Sequence, residues 1–146
     1  MNLRDVHDYA WHWFEYHAGQ RLTAFRFFLI FLGGLAIAFS TAVESDNLLL
    51  ARGVGGLGAF VSLAFLVLES RNEALVNLGR SALEVIEAKF TAAEISDSKL
   101  KLLTSDKSRS IWSSHKFWFR LIYGVSIIVF LIAAFDPSIA QVTRPK

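Results

Sequence analysis

The chain has 146 residues, a formal net charge of +2 and no cysteine. Hydrophobic residues make up 53% of it and the mean hydropathy is +0.41, which leaves a water-soluble helical bundle too little polar surface. The lack of cysteine excludes disulfides, thiolate catalysis and cysteine-ligated metals, and so small a charge excess does not by itself indicate nucleic-acid binding.

Residues 5–21 form an aromatic and histidine-rich segment. On a helix, Tyr9, Trp13 and Tyr16 share one face. Such rings are typical of an interfacial helix at headgroup level beside a membrane span, and they equally suit a platform on which a nucleobase stacks. The three histidines of the segment are five residues apart and rotate around a helix, which argues against a metal site. We expect no cofactor.

Three apolar segments have the length of about 20 residues that a helix needs to cross a bilayer. They are Leu22–Val43, Leu48–Leu68 and Phe117–Phe135. Each has at most one internal charge, an arginine close enough to a segment end for its guanidinium to reach the headgroups. A cleaved signal peptide explains the first segment poorly, because some twenty polar and aromatic residues precede it. We therefore predict an all-α integral membrane protein with three transmembrane helices.

Small residues recur at every fourth position of the first two spans, which lets helix backbones approach closely in lipid. These residues are Gly34, Ala38 and Ala42, then Ala51, Gly55 and Ala59. Packing of the first span against the second within one chain would account for them. Three spans are few, however, so we expect part of this surface to contact other copies. The prediction is a homo-oligomer, with a tetramer as the first guess.

The short connection between the first two spans contains two acids, Glu44 and Asp46. Repeated by symmetry, they would form an acidic ring at the outer mouth of a pore, with Ser40 and Thr41 as deeper polar liners. The simpler interpretation is that loop acids are solvated and that the hydroxyls bond to their own helix.

No helix breaker follows Leu68 until well past Phe90, and apolar residues recur there at helical spacing. We predict that the second span continues as one helix, about 60 Å long in all, into a cytoplasmic extension. Residues 92–114 are polar, with a turn predicted near Ser96–Ser98 and a short helix around Lys99–Thr104. The predicted domains are therefore 1–21, 22–70, 71–114 and 115–146.

Basic residues of the extension could form stacked rings that bind a phosphate backbone, while aromatic rings of the first segment stack bases. The candidate ligand-binding residues are Trp11, Trp13, Tyr16, Arg21, Arg71, Arg80 and Lys89. The alternative is that Arg71 and Arg80 pair with neighbouring acids on a solvated face. We also expect Glu69 to pair with an arginine at similar depth, Arg26, Arg71 or Arg120.

Charge predicts the orientation. Of fifteen Lys and Arg, three precede or open the first span, nine lie from Arg71 to Arg120, and only three fall on the opposite side of a three-span topology. Basic flanking segments stay inside, so the N-terminus is predicted cytoplasmic and the C-terminus external. No nucleophile elbow, Walker loop or dinucleotide fingerprint occurs, and no acid lies in the middle of a span, so we expect neither an enzyme nor a carrier.

Several runs of the sequence resemble small bacterial membrane proteins found beside anti-phage signalling enzymes. The runs are Trp13–His17, Gln20–Arg21, Phe25–Leu29, Leu68–Leu75 and Arg80–Glu84. That group includes the SLATT-like effectors and the membrane subunit of the Hailong type of defence system, thought to be an oligomeric channel held shut by a nucleic-acid signal. The resemblance covers about residues 11 to 90. SLATT proteins usually have two spans, and the third span here departs from that pattern.

The resemblance implies a homo-oligomeric ion channel or pore effector of antiviral defence in the bacterial inner membrane. Its control would come from the cytoplasm, through a nucleotide or a short single-stranded oligonucleotide made by a partner enzyme, which implies DNA-binding character. The alternative is a membrane anchor or assembly subunit that conducts no ions.

Overall fold

The computed structural model describes residues 3–89 and 115–138, and this part of the chain is all-helical apart from short connections. Its helices are α1 (Leu3–Glu44), α2 (Leu48–Lys89) and α3 (His115–Phe135). All three are long and apolar enough to cross a membrane, which confirms the prediction of three apolar helices. The turn predicted near Ser96–Ser98 and the helix predicted around Lys99–Thr104 lie outside the described residues.

Two of the helices are longer than any span requires, with 42 residues each. The prediction that α2 continues without a break past Leu68 is confirmed. The aromatic segment is not a separate helix, because α1 runs without interruption from Leu3 to Glu44. No proline stands between the segment and the first span, and a single Gly19 costs a helix only about 1 kcal/mol.

A tight connection joins α1 to α2. Asp46 adopts a left-handed conformation with a φ of 52°. Its backbone N–H donates to the carbonyl of Val43 at 3.2 Å, and that of Asn47 donates to Ala42 at 3.0 Å. This is a Schellman motif, with an aspartate where glycine or asparagine is usual. The Asn47 side chain then caps α2 by accepting a 3.0 Å hydrogen bond from the Leu50 N–H.

Contacts divide the chain into two compact units. The first unit comprises Met1–Leu22 with Ser70–Phe117, and the second comprises Thr23–Glu69 with Trp118–Lys146. Each long helix therefore contributes one part to each unit.

The first unit has a small apolar core. Ala10 of α1 is buried with Leu83 and Ile86 of α2, and Val6 and Phe14 pack around them. These residues recur at the three- and four-residue spacing of a helix face, so the contact is one helix stripe against another.

The second unit has an aromatic cluster in its core, and a smaller cluster of Ala42, Val43 and Ala51 beside the α1–α2 connection. Phe28, Phe119 and Tyr123 are buried together. Phe25 stacks on Phe119 with ring centroids 4.2 Å apart, and Phe28 meets Tyr123 edge-on at 4.6 Å. Offset-stacked and edge-on pairs of this kind add about 0.5–1.5 kcal/mol each beyond their buried area.

Two glycines of α2 allow α3 to pack closely within the second unit. A Cβ built on Gly55 would lie 2.6 Å from the backbone nitrogen of Ala134, and one on Gly58 would overlap the Phe130 ring. At Gly55 the small-residue stripe of α2 therefore packs against the third span. Ala51 of the same stripe is buried with Ala42 and Val43 of α1, which is the packing between the first two spans that the sequence interpretation offered. By contrast, Gly34 of α1 has open space around it.

Most of the apolar surface of the spans faces outward. In the most apolar 18-residue stretch of each helix, only 6% of α1 is buried, compared with 28% of α2 and 22% of α3. Ile30, Ile37 and Phe60 are each about two-thirds exposed or more, at 68%, 70% and 68%. Soluble monomers rarely expose so large a continuous apolar surface, and a bilayer would cover it.

Candidate functional site

Trp13 holds α1 against α2 in the first unit. Its indole Nε1–H donates to the carbonyl oxygen of Leu75 at 3.0 Å. Gly79 permits this approach, since a Cβ there would lie 2.9 Å from Trp13 Cδ1 and 3.1 Å from Phe14 Cα. Trp13 was predicted as a stacking residue. The structure places it at a helix contact with its side chain half-buried, so only part of the ring is open to a ligand.

Hydrogen-bonded side chains on α1 extend from Trp13. Gln20 Nε2 donates to the Tyr16 hydroxyl at 3.0 Å, and Gln20 Oε1 lies 3.0 Å from His17 Nδ1, from which it accepts when that nitrogen is protonated. The His17 ring lies 4.6 Å from the Trp13 ring. Trp13, Tyr16 and His17 line a shallow open groove together with His12 and Glu15. We call Trp13, Tyr16, His17 and Gln20 the Tyr16 face, and its hydrogen bonds orient Tyr16 while 62% of that residue stays exposed.

The aromatic and basic candidates of α1 do not share one face. Trp11 and Arg21 each stand five residues from Tyr16, which places them about 140° away around the helix. Trp11 is 47% exposed and lies beside Phe14, with ring centroids 6.0 Å apart. A single ligand on one side of α1 therefore cannot stack on Trp11 and Tyr16 together.

The basic candidates of α2 are also separated. Arg71 and Arg80 are nine residues apart, which is two and a half turns, so they point to opposite sides of the helix. Arg80 Nε lies 3.3 Å from Glu84 Oε1, the kind of pairing that the alternative interpretation predicted. Arg71 is exposed, and within residues 3–89 and 115–138 no acid pairs with it. Lys89 is exposed on the same side as Arg71 but about 27 Å further along.

The pore candidates cluster at the α1–α2 connection. Glu44, Asp46, Ser40 and Thr41 are all exposed. The Thr41 hydroxyl donates to the carbonyl of Ile37 at 3.0 Å, so it bonds to its own helix as the simpler interpretation held. The acidic ring requires other copies and stays a prediction.

Other polar groups within the second unit are buried. Ser62 donates to the Gly58 carbonyl and Ser126 to the Ile122 carbonyl, each at 2.8 Å. Satisfying a hydroxyl within its own helix is the least costly arrangement in lipid. Glu69 is only 2% exposed. Its predicted pairing with an arginine stays a prediction.

Two charged residues, Lys116 and Glu87, were not identified from the sequence, and the structure places them at a helix contact and in a buried position, respectively. Lys116 of α3 lies 3.1 Å from both Glu73 Oε1 and Asn77 Oδ1 of α2, an ion pair between residues 43 positions apart. Nothing in the local sequence signals it, because it depends on where α3 begins beside α2. Glu87 has both carboxylate oxygens buried and, among the described residues, without a hydrogen-bond partner.

Three helices long and apolar enough to cross a membrane, with the hydroxyls of Ser62 and Ser126 bonded to their own helix, indicate that the chain is a membrane protein. It is 27% identical over 146 aligned positions, covering 93% of each chain, to a protein of Escherichia coli named CD-NTase-associated protein 19. No family model matches the chain, and no solved structure matches it.

Proposed function

We propose that this protein is a homo-oligomeric membrane effector of bacterial anti-phage defence, which conducts ions under the control of a nucleotide signal made by a partner CD-NTase. The observation that carries the proposal is the similarity to CD-NTase-associated protein 19, which covers 93% of both chains. A likeness of such extent reaches well beyond any one apolar helix. It supports a defence context, whereas the SLATT-like or Hailong-type assignment rests on the runs within residues 11 to 90.

Assembly of several copies is part of the proposal. A single chain has too few spans to enclose a water-filled path, and its spans leave most of their apolar surface uncovered. Open space surrounds Gly33 and Gly34 of α1 and Gly53 and Gly56 of α2, where another helix could approach closely. A tetramer in the inner membrane remains our first guess, with the N-terminus cytoplasmic and the C-terminus periplasmic.

In such an assembly the α1–α2 connections would surround the outer mouth. Glu44 and Asp46 would then favour cations, with Ser40 and Thr41 deeper in the path. The protein carries no chemistry of its own in this proposal: it is not an enzyme, and the partner CD-NTase supplies the signal.

The experiment is ion flux from vesicles that contain the purified protein. Potassium-loaded vesicles should change their rate of potassium release when the nucleotide product of the CD-NTase is added, and not when the same concentration of ATP is added. If the protein is shown to be inserted and the product neither raises nor lowers the rate of potassium release, the alternative of an anchor or assembly subunit is favoured.

A double variant tests the acidic mouth. Glu44→Gln with Asp46→Asn should lower potassium conductance several-fold in low salt, where screening is weak, and less in high salt. Asparagine is the right replacement for Asp46 because it tolerates the left-handed conformation, whereas lysine would strain the turn. Equal currents at low salt would remove both acids from the conduction path.

A further inference from the structure

The contacts between α1 and α2 determine which of their residues lie at the same level. Trp13 bonds to Leu75 while Ala10 packs on Leu83, so the helices run antiparallel in the first unit. Both advance about 1.5 Å per residue. Counting from the Trp13–Leu75 contact places Arg71 at the level of His17, and counting from the Ala10–Leu83 contact places it at the level of Leu22. Arg71 therefore lies beside the part of α1 from His17 to Leu22.

The same contacts determine the side of the helix pair on which each residue lies. Arg71 is one turn from Leu75 and within about 40° of it around α2. Trp13, His17 and Gln20 lie within about 60° of one another around α1. Because Trp13 reaches Leu75, the α2 stripe that carries Arg71 borders the Tyr16 face. Arg80 points to the opposite side.

We infer that the Tyr16 face and Arg71 together form a nucleotide-binding site, in which the base stacks on Tyr16 and the Arg71 guanidinium holds the phosphate. The inference rests on the proposed function, since it identifies where the signal would bind. Tyr16 is held in place by Gln20 and is 62% exposed. Arg71 is exposed with no acid paired to it in the described ranges, whereas Arg80 already contacts Glu84.

The chemistry defines the ligand class. A guanidinium makes two parallel hydrogen bonds to a phosphate, and a phenol ring stacks on any base, since every base has a π-face. The Gln20 amide already bonds to Tyr16 and His17, so stacking and the phosphate contact dominate. The site therefore takes a nucleotide or short oligonucleotide with little preference for base identity.

A phosphate at Arg71 could also come from a lipid. Arg71 follows the predicted span end, Leu68, by three residues, or about 4.5 Å along α2, which is within reach of the headgroups. A lipid phosphate has no planar ring, so Tyr16 distinguishes the two sources.

The test is binding of a fluorescein-labelled diadenylate to the full-length protein, followed by fluorescence anisotropy in a phosphate-free maltoside detergent. The wild type should bind with an affinity that falls as salt rises. Arg71→Ala should weaken binding roughly tenfold or more, and Tyr16→Leu roughly fivefold or more. Tyr16→Phe keeps the ring and should bind within about twofold of the wild type.

Matched controls come from the other side of each helix. Arg80→Ala removes an arginine of α2, and Trp11→Leu removes an exposed ring of α1. Both should change affinity by less than about twofold, because neither residue borders the site. Loss of binding in Arg80→Ala with none in Arg71→Ala, or no binding by the wild type at low salt, would overturn the inference.

Repeating the titration in nanodiscs with phosphatidylglycerol separates the two phosphate sources. Nucleotide binding that persists there and still needs Tyr16 supports the site. The opposite result would be that the anionic lipid abolishes nucleotide binding, and that retention of the lipid depends on Arg71 and not on Tyr16. Arg71 would then bind lipid headgroups, and the inference would be overturned.

The result is separable from that of the flux experiment. Flux that responds to the CD-NTase product but is unchanged in Arg71→Ala and Tyr16→Leu would leave the effector standing and reject this site. Binding without flux in the wild type would support the site and reject the pore.

Discussion

The two units of this protein join the same helices in different ways. In the first unit, polar contacts accompany a small core: Trp13 of α1 bonds to a backbone carbonyl of α2, and Lys116 of α3 bridges to Glu73 of α2. In the second unit the helices meet through stacked rings and through glycines, and the hydroxyls of Ser62 and Ser126 bond within their own helix.

The difference follows from the interactions that can stabilise helix contacts in each unit. Lipid tails are as apolar as leucine, so spans associate through close packing rather than through expulsion of water. Contacts such as that of Gly55 with Ala134 supply this packing. In the first unit, where Ala10, Leu83 and Ile86 form the buried core among the described residues, side-chain hydrogen bonds of Trp13 and Lys116 to α2 instead specify the register. The two units should therefore fail in response to different substitutions.

The largest effect should come from Gly55→Leu in the second unit. Any side chain there would meet the backbone of α3, and backbone cannot move aside as a flexible side chain can. We expect a loss of about 3 kcal/mol or more in the free energy of unfolding, measured by detergent titration of the helical signal.

Gly56→Leu is the matched control, because it changes the neighbouring residue to the same side chain in open space. It should leave the unfolding free energy unchanged or raise it by up to about 1 kcal/mol, because glycine is a poor helix former. A change in oligomer size for Gly56→Leu alone would mark its face as an interface between copies. Equal destabilisation by both variants would contradict the packing of Gly55 on α3.

The corresponding comparison in the first unit uses Gly79→Ala and Gly19→Ala. A methyl group on Gly79 meets Trp13 and the backbone of Phe14, so we expect a loss of about 1–3 kcal/mol. Gly19 has open space, and alanine there should add up to about 1 kcal/mol of helix stability. Hydrogen exchange of backbone amides in the first unit measures both. If both variants lose stability by similar amounts, the effect of Gly79→Ala would not come from its contact with Trp13 and Phe14.

Much of the fold could be predicted because it depends on local pattern. Apolar length identified the three helices, and the lack of breakers after Leu68 predicted the continuation of α2. The same argument applied before Leu22 would have predicted that α1 is continuous, since only Gly19 interrupts a helix-compatible run. The aromatic content of the segment directed the interpretation towards a separate interfacial helix instead.

The site could be predicted only in part. The sequence gives the type of each residue, but the side of the helix pair on which it lies depends on contacts between helices. The exposed ring of Tyr16 and the basic side chain of Arg71 were both among the candidates. Their separation from Trp11 and Arg80 follows from 100° per residue and could have been worked out beforehand. Which stripe of α2 borders Tyr16 depends on the contact of Trp13 with Leu75, which no local pattern encodes.

Two charge removals in the first unit should have opposite signs. Lys116→Met breaks the link to Glu73 and should cost about 1 kcal/mol. Glu87→Leu removes a carboxylate whose oxygens are buried and, in the described part of the chain, without a partner, so it should gain about 1 kcal/mol. Exposed Glu15→Leu is the control and should change little. Thermal unfolding of the three variants in one detergent checks the order, and destabilisation by Glu87→Leu would show that its carboxylate has a stabilising role.

The smallest effect should come from the α1–α2 connection, where backbone conformation matters more than packing. Asp46 has a φ of 52°, which glycine adopts without the steric cost that a Cβ imposes. Asp46→Gly should therefore raise the unfolding free energy by up to about 1 kcal/mol. Ser45→Gly is the matched control one residue earlier: it removes a hydroxyl that donates to the carbonyls of Thr41 and Ala42, and it should destabilise by about 0.5–1 kcal/mol. Both are measured by the same detergent titration as Gly55→Leu. If glycine destabilises equally at both positions, the aspartate side chain contributes more to the turn than its backbone conformation costs.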